Sequence, residues 1–297
     1  MNSDCPACHA TEATPFFESV DKDFSWAGYP YVRCAVCETV FNAACPAQVE
    51  LTALHRDRWY SPGAFRYPDA GRGAILGHWA KTMAEAAEAV KARRAGKPRH
   101  LDIGCGYGAC CEALREKGFQ STGVDPSPDS IETAKREFPL NDFFTASLGD
   151  HGLPELQGTW DLVTLNDVIE HVVSPDLLMS EVGRVTGAGS LVYVQAPSAA
   201  SLQLAYLREH AFHSMAPFHR TLFSLAGLTR LLDRNGFDVV SVLPSHINWG
   251  WTRALSFQLG SPAEYERLRQ DAAFRALDLA IDTLFDRIAI DQGRAPS

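Results

Sequence analysis

The chain has 297 residues, 46% of them apolar and 21% charged, a balance that excludes disorder over most of its length. At roughly 150 residues per domain, the length predicts two units, or one large domain with an appendage. Twenty-seven Lys and Arg against 36 Asp and Glu give a net charge of −9, the wrong sign for a non-specific hold on nucleic acid or an anionic membrane. No apolar run of about 18 residues predicts a transmembrane helix. The opening Met-Asn-Ser-Asp has neither the basic start nor the apolar run of a signal peptide. A cytoplasmic protein with mostly reduced cysteines is expected.

Two C-x-x-C pairs, Cys5/Cys8 and Cys34/Cys37, stand within the first 37 residues. A spacing of two lets both sulfurs of a pair turn toward one point, and two pairs supply four thiolates to one tetrahedral Zn²⁺. Phe16, Phe17, Phe24, Trp26, Tyr29 and Tyr31 lie between them, enough for a very small core. Four cysteines leave no open coordination position, so such a metal has a structural role. Residues 1–50 therefore read as a zinc ribbon. Residues 51–73, with Trp59, Tyr60, Phe65 and Tyr67 around Pro62-Gly63, read as an aromatic linker.

From Ala74 to about Arg94 the pattern is helical, with Lys91, Arg93 and Arg94 suiting the negative end of the dipole. Strand and helix then alternate. Strands are expected at 99–103, 119–124, 142–146, 160–165 and 190–195, and further ones at 237–243 and 253–259. Helices fill the intervals. Two open on Ser-Pro, at Ser127-Pro128 and Ser174-Pro175, where Ser caps the helix and Pro takes its first position. Residues 197–223 form an insertion rich in His and aromatic residues, suited to a substrate lid. A last helix opens at the capping box Ser261-Pro-Ala-Glu264 and fills 261–297. The alternation predicts an α/β fold, a doubly wound, seven-stranded and mostly parallel sheet over residues 74–260.

In such sheets, ligands bind beyond the carboxyl ends of the strands. The first β-α turn reads Leu101-Asp-Ile-Gly104-Cys-Gly106-Tyr-Gly108, and the next strand ends Gly123-Val-Asp125. Glycines let the backbone approach a ligand, and a carboxylate at the second strand end can accept both hydroxyls of a ribose. Gly104-x-Gly106-x-x-Ala109 also fits a dinucleotide fingerprint. Against that reading, Asp102 puts an acid where a dinucleotide fold has an apolar residue.

These segments, with Trp160-Asp-Leu-Val-Thr-Leu-Asn-Asp-Val-Ile-Glu-His-Val, resemble the class I S-adenosylmethionine-dependent methyltransferases over about residues 70–260. The resemblance implies a seventh strand that runs antiparallel and S-adenosylmethionine as cofactor. It assigns Gly104 and Gly106 to the methionine part, Asp102 to the amino group and Asp125, followed by Pro126, to the ribose. Asn166 would close the pocket, Ser147 and Leu148 would meet the adenine, and Tyr60 of the aromatic linker would cover the site. The four-cysteine ribbon and Trp59-Tyr60 segment resemble the front end of bacterial methyltransferases that act on sugars and related metabolites.

Asp167, Glu170 and His171 follow the fourth strand and would share one face of a helix. Three roles are open to them. His171 can take a proton from a substrate hydroxyl, with a carboxylate orienting it. The trio also resembles the metal-binding element of some O-methyltransferases. It can equally serve packing. In the insertion, His219 is a second candidate base. The function expected is methyl transfer to a small molecule, a hydroxyl of a sugar or related metabolite. Alternatives are a zinc-ribbon RNA methyltransferase, a non-catalytic cofactor-binding or assembly protein, and a nicotinamide dehydrogenase. Against the RNA reading, residues 1–60 hold four Lys/Arg and eight Asp/Glu. Neither acceptor nor oligomeric state is legible.

Overall fold

The computed structural model describes residues 4–22, 25–44, 47, 50, 53, 72–146, 158–242 and 267. The chain divides into two compact units, one of residues 47–195 and one of residues 1–46 with 196–297.

In the first unit, helices α1 (Arg72–Thr82) and α2 (Ala84–Lys91) are separated by one residue, Met83, whose side chain is fully buried. The single helix expected there is thus broken at an anchor point. Five strands follow: β4 (Arg99–Ile103), β5 (Gln120–Asp125), β6 (Asp142–Thr145), β7 (Leu162–Asn166) and β8 (Leu191–Gln195). Between them run α3 (Ala109–Glu116), α4 (Pro128–Glu137) and α5 (Pro175–Val185). All five strands pair in parallel, in the order β6-β5-β4-β7-β8. The order reverses between β4 and β7, so the carboxyl ends of these two strands flank the ligand crevice. Leu101, Ile103, Leu162, Val163 and Leu165 are fully buried, as sheet strands covered on both faces require. Met83, Ala87, Val90, Leu114, Phe119 and Leu162 form one core cluster. Cys105, Cys111, Ile131, Ala134, Phe138 and Phe143 form another. Both Ser-Pro starts behave as expected: Ser127 Oγ accepts from Ser130 N at 3.2 Å and Ser174 Oγ from Leu177 N at 3.3 Å.

In the second unit, β1 (Ala13–Glu18), β2 (Pro30–Cys34) and β3 (Val40–Asn42) form an antiparallel sheet. The fourth strand comes from far along the chain: β9 (Thr221–Leu222) pairs with β3. Before it lie α6 (Leu202–Leu207) and a 3-10 turn, Arg208–His210; after it comes α7 (Leu225–Arg234). The core of this unit is larger than the aromatics of its first three strands supply. Tyr31 and Val40 pack with Ala199, Leu202, Leu204, Leu207, Ala211, Ala216 and Leu222. The insertion is therefore built into a folded unit, with Tyr31 Oη donating to His219 O at 2.7 Å and Lys22 Nζ to Ala211 O at 2.7 Å.

The expected sixth strand does not form over residues 237–242. Val239, Val240 and Val242 are exposed there, Phe237 N turns back to Leu232 O at 3.0 Å, and no strand among the described residues pairs with the segment. The strand expected at 253–259, the final helix save Arg267, and residues 54–71 of the aromatic linker lie outside the described residues. Among the described residues no helix is long and apolar enough to cross a membrane.

Candidate functional site

The turn after β4 is where the backbone departs from ordinary conformations. Gly104 has φ +73°, and a Cβ there would stand 2.4 Å from Val168 Cγ2. Gly106 has φ +51°, but a Cβ there would meet nothing within 4 Å among the described residues. One glycine is required by packing, and the other leaves an open cradle above the turn. Asp125, at the end of β5, holds the turn from below. Its Oδ2 accepts from Gly106 N at 3.0 Å and its Oδ1 from Ser127 N at 2.8 Å. Burial pushes its carboxyl up to about 6, against those two donors. Each carboxylate oxygen keeps a second lone pair, so a vicinal diol can still be accepted. Pro126 follows, exposed.

Asp102 lies one strand over, buried at the level of the turn. Register places it between Gly123 of β5 and Thr164 of β7. Its Oδ1 accepts from Thr164 Oγ1 at 2.5 Å and from Asn166 Nδ2 at 3.4 Å, and its Oδ2 faces Cys111 Sγ at 3.9 Å. Burial, with the nearby Asp125 charge, raises its carboxyl to about 7, against the hydrogen bonds from Thr164 and Asn166. Asn166 Oδ1 is buried and has no hydrogen-bond partner among the described residues. An orphaned acceptor beside a buried carboxylate is what a cationic amino group would satisfy. Cys105, Cys110 and Cys111 are buried and pushed well above the ordinary thiol range by burial. They pack the turn as neutral thiols.

The segment after β7 is a turn and not a helix. Asp167 takes φ +54°, a left-handed conformation that Asp tolerates, and Asp167 N donates to Gln195 O at 3.0 Å. His171 N then closes on Val168 O at 3.0 Å. The i, i+3, i+4 alignment expected for a helix is therefore replaced by a turn anchored on β8. It still brings Glu170 and His171 together, with Oε1 to Nε2 at 3.8 Å. Glu170 is fully buried, and burial together with the Asp167 charge holds its carboxyl well above the usual range. Burial raises Asp167 to about 6, against a hydrogen bond from Gln195. His171 keeps 24% of its side chain exposed, so a substrate can reach it.

His219 belongs to the other unit. It is buried, its Nδ1 bonds to His213 O at 2.8 Å, and its ring stacks on that of His213 with centroids 5.8 Å apart. Its surroundings within that unit are those of a packed side chain, in contrast to the solvated loop typical of an insertion.

In the same unit the four cysteines converge. Cys5 and Cys37 sulfurs are 3.6 Å apart, as are those of Cys8 and Cys34, and all four lie within 4.8 Å of one another. A metal about 2.3 Å from four tetrahedral sulfurs spaces them by about 3.8 Å. Burial raises the Cys5 and Cys8 thiols. Cys34 comes down to about 7, because backbone N–H groups of Cys37 and Val36 and thiol hydrogen bonds outweigh burial.

Of the residues expected at the site, Asp102, Gly104, Gly106, Asp125 and Asn166 meet at one sheet edge, with Glu170 and His171 on the turn leaving it. Ser147, Leu148 and Tyr60 lie outside the described residues. Sequence reasoning passed over Thr164, His100 and Gln195. A His two residues before Asp102 on a buried strand was the available signal, because alternation puts both on one face.

The methyltransferase domain family matches residues 76–242. The ubiquinone biosynthesis O-methyltransferase of Schizosaccharomyces pombe, a mitochondrial protein, is 41% identical over 97 residues, 31% of this chain and 35% of that protein. Norajmaline N-methyltransferase of Rauvolfia serpentina is 32% identical over 120 residues, 36% of this chain and 41% of that one. The chain thus spans well under half the length of these relatives. Among solved structures, magnesium protoporphyrin IX methyltransferase of Synechocystis, with bound SAH, covers 67% of this chain and 92% of its own at 20% identity and a TM-score of 0.48. With 167 of 297 residues matched across the β4–β8 sheet and its glycine turn, the chain belongs to the methyltransferase domain family.

Proposed function

We propose that this chain transfers a methyl group from S-adenosylmethionine to a hydroxyl of a small-molecule acceptor, a sugar or related metabolite. The observation that carries the reading is the division of labour around the glycine turn. Asp102 and the orphaned Asn166 Oδ1 offer acceptors to an ammonium, while Asp125 offers two oxygens to a diol. S-adenosylmethionine has both groups; a nicotinamide dinucleotide has diols but no ammonium. When bound, the cofactor supplies an activated methyl group. The chain's own residues do the rest. Gly106 gives the ligand backbone-close access, and Asp102, Asn166 and Asp125 fix its two ends.

His171 takes the proton of the acceptor hydroxyl. Glu170, kept toward its protonated form by burial, lies beside the imidazole with Oε1 3.8 Å from Nε2. Names of relatives include both oxygen and nitrogen acceptors. The hydroxyl therefore rests on the presence of a base, which an amine acceptor needs less.

Cys5, Cys8, Cys34 and Cys37 fit one structural Zn²⁺, a closed four-thiolate site. Holding the ribbon's two knuckles together is its role.

The test is label transfer. Protein incubated with S-adenosylmethionine carrying a labelled methyl group, and with panels of sugars, phenols and amines, should label hydroxyl acceptors. Transfer confined to amines would overturn the hydroxyl assignment.

A further inference from the structure

Beneath the glycine turn, four polar side chains join across three strands. Ser121 of β5 faces His100 of β4, with Oγ to Nδ1 at 3.1 Å. On the ring's other side, His100 Nε2 is 2.9 Å from Thr164 Oγ1 of β7. Thr164 Oγ1 in turn donates to Asp102 Oδ1 at 2.5 Å. Register makes this possible, since His100 is level with Ser121, and Asp102 with Thr164. His100 and Asp102 are two residues apart, so all four project from one sheet face. His100, Ser121, Thr164 and Asp102 are all buried, His100 and Thr164 completely.

With Asp102 ionised, the direction of every proton in this network is fixed. An ionised Asp102 only accepts, so the single Thr164 hydroxyl proton goes to it. Thr164 oxygen must then accept from His100 Nε2–H. That tautomer leaves His100 Nδ1 an acceptor, and the Ser121 hydroxyl donates to it. The arrangement requires a neutral imidazole. Burial, which holds His100 near 3, keeps it so.

We infer that Ser121, His100 and Thr164 are positioning residues that orient Asp102 and hold it ionised for the amino end of the cofactor. The inference rests on the cofactor reading above and deepens it. Asp102 is otherwise badly placed to carry charge. It is buried, Asp125 faces it from β5, and Cys105, Cys110 and Cys111 from the turn and α3 are neutral. Only Thr164, Asn166 and the weak Cys111 thiol donate to it among the described residues. Asn166 is in addition offered to the ligand. Thr164 is thus the strongest donor to the carboxylate among the described residues, and His100 keeps its hydroxyl turned toward it. Without these hydrogen bonds, burial would push the Asp102 carboxyl further up than about 7, and a protonated acid has lost its charge attraction for an ammonium.

The test compares two ligands by calorimetry on the full chain. S-adenosylhomocysteine has the amino acid end; 5′-methylthioadenosine lacks it and keeps the nucleoside. Thr164→Val removes the donor at constant shape. It should weaken S-adenosylhomocysteine about ten-fold while changing methylthioadenosine less than two-fold. Loss of a donor to the charged form raises the Asp102 pKa, so the pH below which S-adenosylhomocysteine affinity falls should move up by about one unit. Thr164→Ser should restore both readings. Ser121→Ala, a smaller change further from the site, should give the same shift in weaker form. An unchanged ratio of the two affinities in both Thr164→Val and Ser121→Ala would overturn the inference, as would equal weakening of both ligands. Failure of the wild-type chain to bind S-adenosylhomocysteine at all would instead remove the cofactor reading, and the inference with it.

Discussion

Replacing Asp125 by Asn keeps the shape of the side chain and removes its charge. In the native chain the Asp125 carboxyl is raised by burial from 3.8 to about 6. That difference of about 2 units corresponds to about 3 kcal/mol at 1.36 kcal/mol per unit. A carboxyl whose folded pKa is raised contributes its full stability below the unfolded pKa, and that contribution is lost as pH rises through about 6. At neutral pH the ionised Asp125 therefore costs the ligand-free fold about 3 kcal/mol. Asn carries no such cost, although its amide NH₂ must face one of the N–H groups of Gly106 and Ser127, a loss of about 1–2 kcal/mol. Asp125→Asn is thus expected to stabilise the free chain by about 1–2 kcal/mol at pH 7.5, with the gain disappearing as pH falls from 6 toward 4. Urea denaturation across that range reads it. The same variant loses a charged acceptor for the ribose, so S-adenosylhomocysteine affinity should fall ten-fold or more. Greater stability with weaker binding is the signature of a residue kept for its ligand. A variant that is less stable at pH 7.5 yet binds as tightly as wild type would refute this reasoning. Asp125 would then be only a clamp between the two turns.

The other expectations concern separate parts of the molecule. Metal analysis of the wild-type chain should find about one zinc per chain and Cys34→Ser should lose it, whereas unchanged zinc content would remove Cys34 from the site. His171→Ala should leave S-adenosylhomocysteine binding intact and lower turnover by about 10²–10⁴-fold, whereas near-wild-type turnover would end its role as base. Gly104→Ala and Gly106→Ala should separate. Both strain a left-handed backbone, but the first also drives a Cβ into Val168 and should lower thermal stability more, while the second, open among the described residues, should lose more cofactor affinity relative to its stability loss.

The methyltransferase sheet was legible because its strands are buried on both faces and its helices open on Ser-Pro, signals that are local. The placement of Asp102 and Asp125 at the carboxyl ends of β4 and β5 was legible for the same reason. The turn at 167–171 was not. Acid and His at helical spacing look alike whether the backbone is a helix or a turn, and what decides here is the left-handed Asp167 bonding to Gln195 on a strand almost thirty residues later. The shared sheet of the second unit was illegible for a stronger reason. Thr221 and Leu222 give only two residues of pattern, and their partner β3 precedes them by some 180 residues. Valines 239, 240 and 242 carry strand propensity but pair with no strand among the described residues, and the strand expected beside them lies outside those residues. The His100–Thr164 link depends on register between strands far apart in sequence, which no single segment displays.

The central claim is that the crevice beyond β4 and β7 is built for a nucleoside bearing a cationic amino acid end. Calorimetric titration of the whole chain at pH 7.5 with S-adenosylhomocysteine, and in parallel with NAD, tests it most directly. The account predicts one S-adenosylhomocysteine bound per chain and no measurable heat from NAD. Saturable binding of NAD with none of S-adenosylhomocysteine would contradict it.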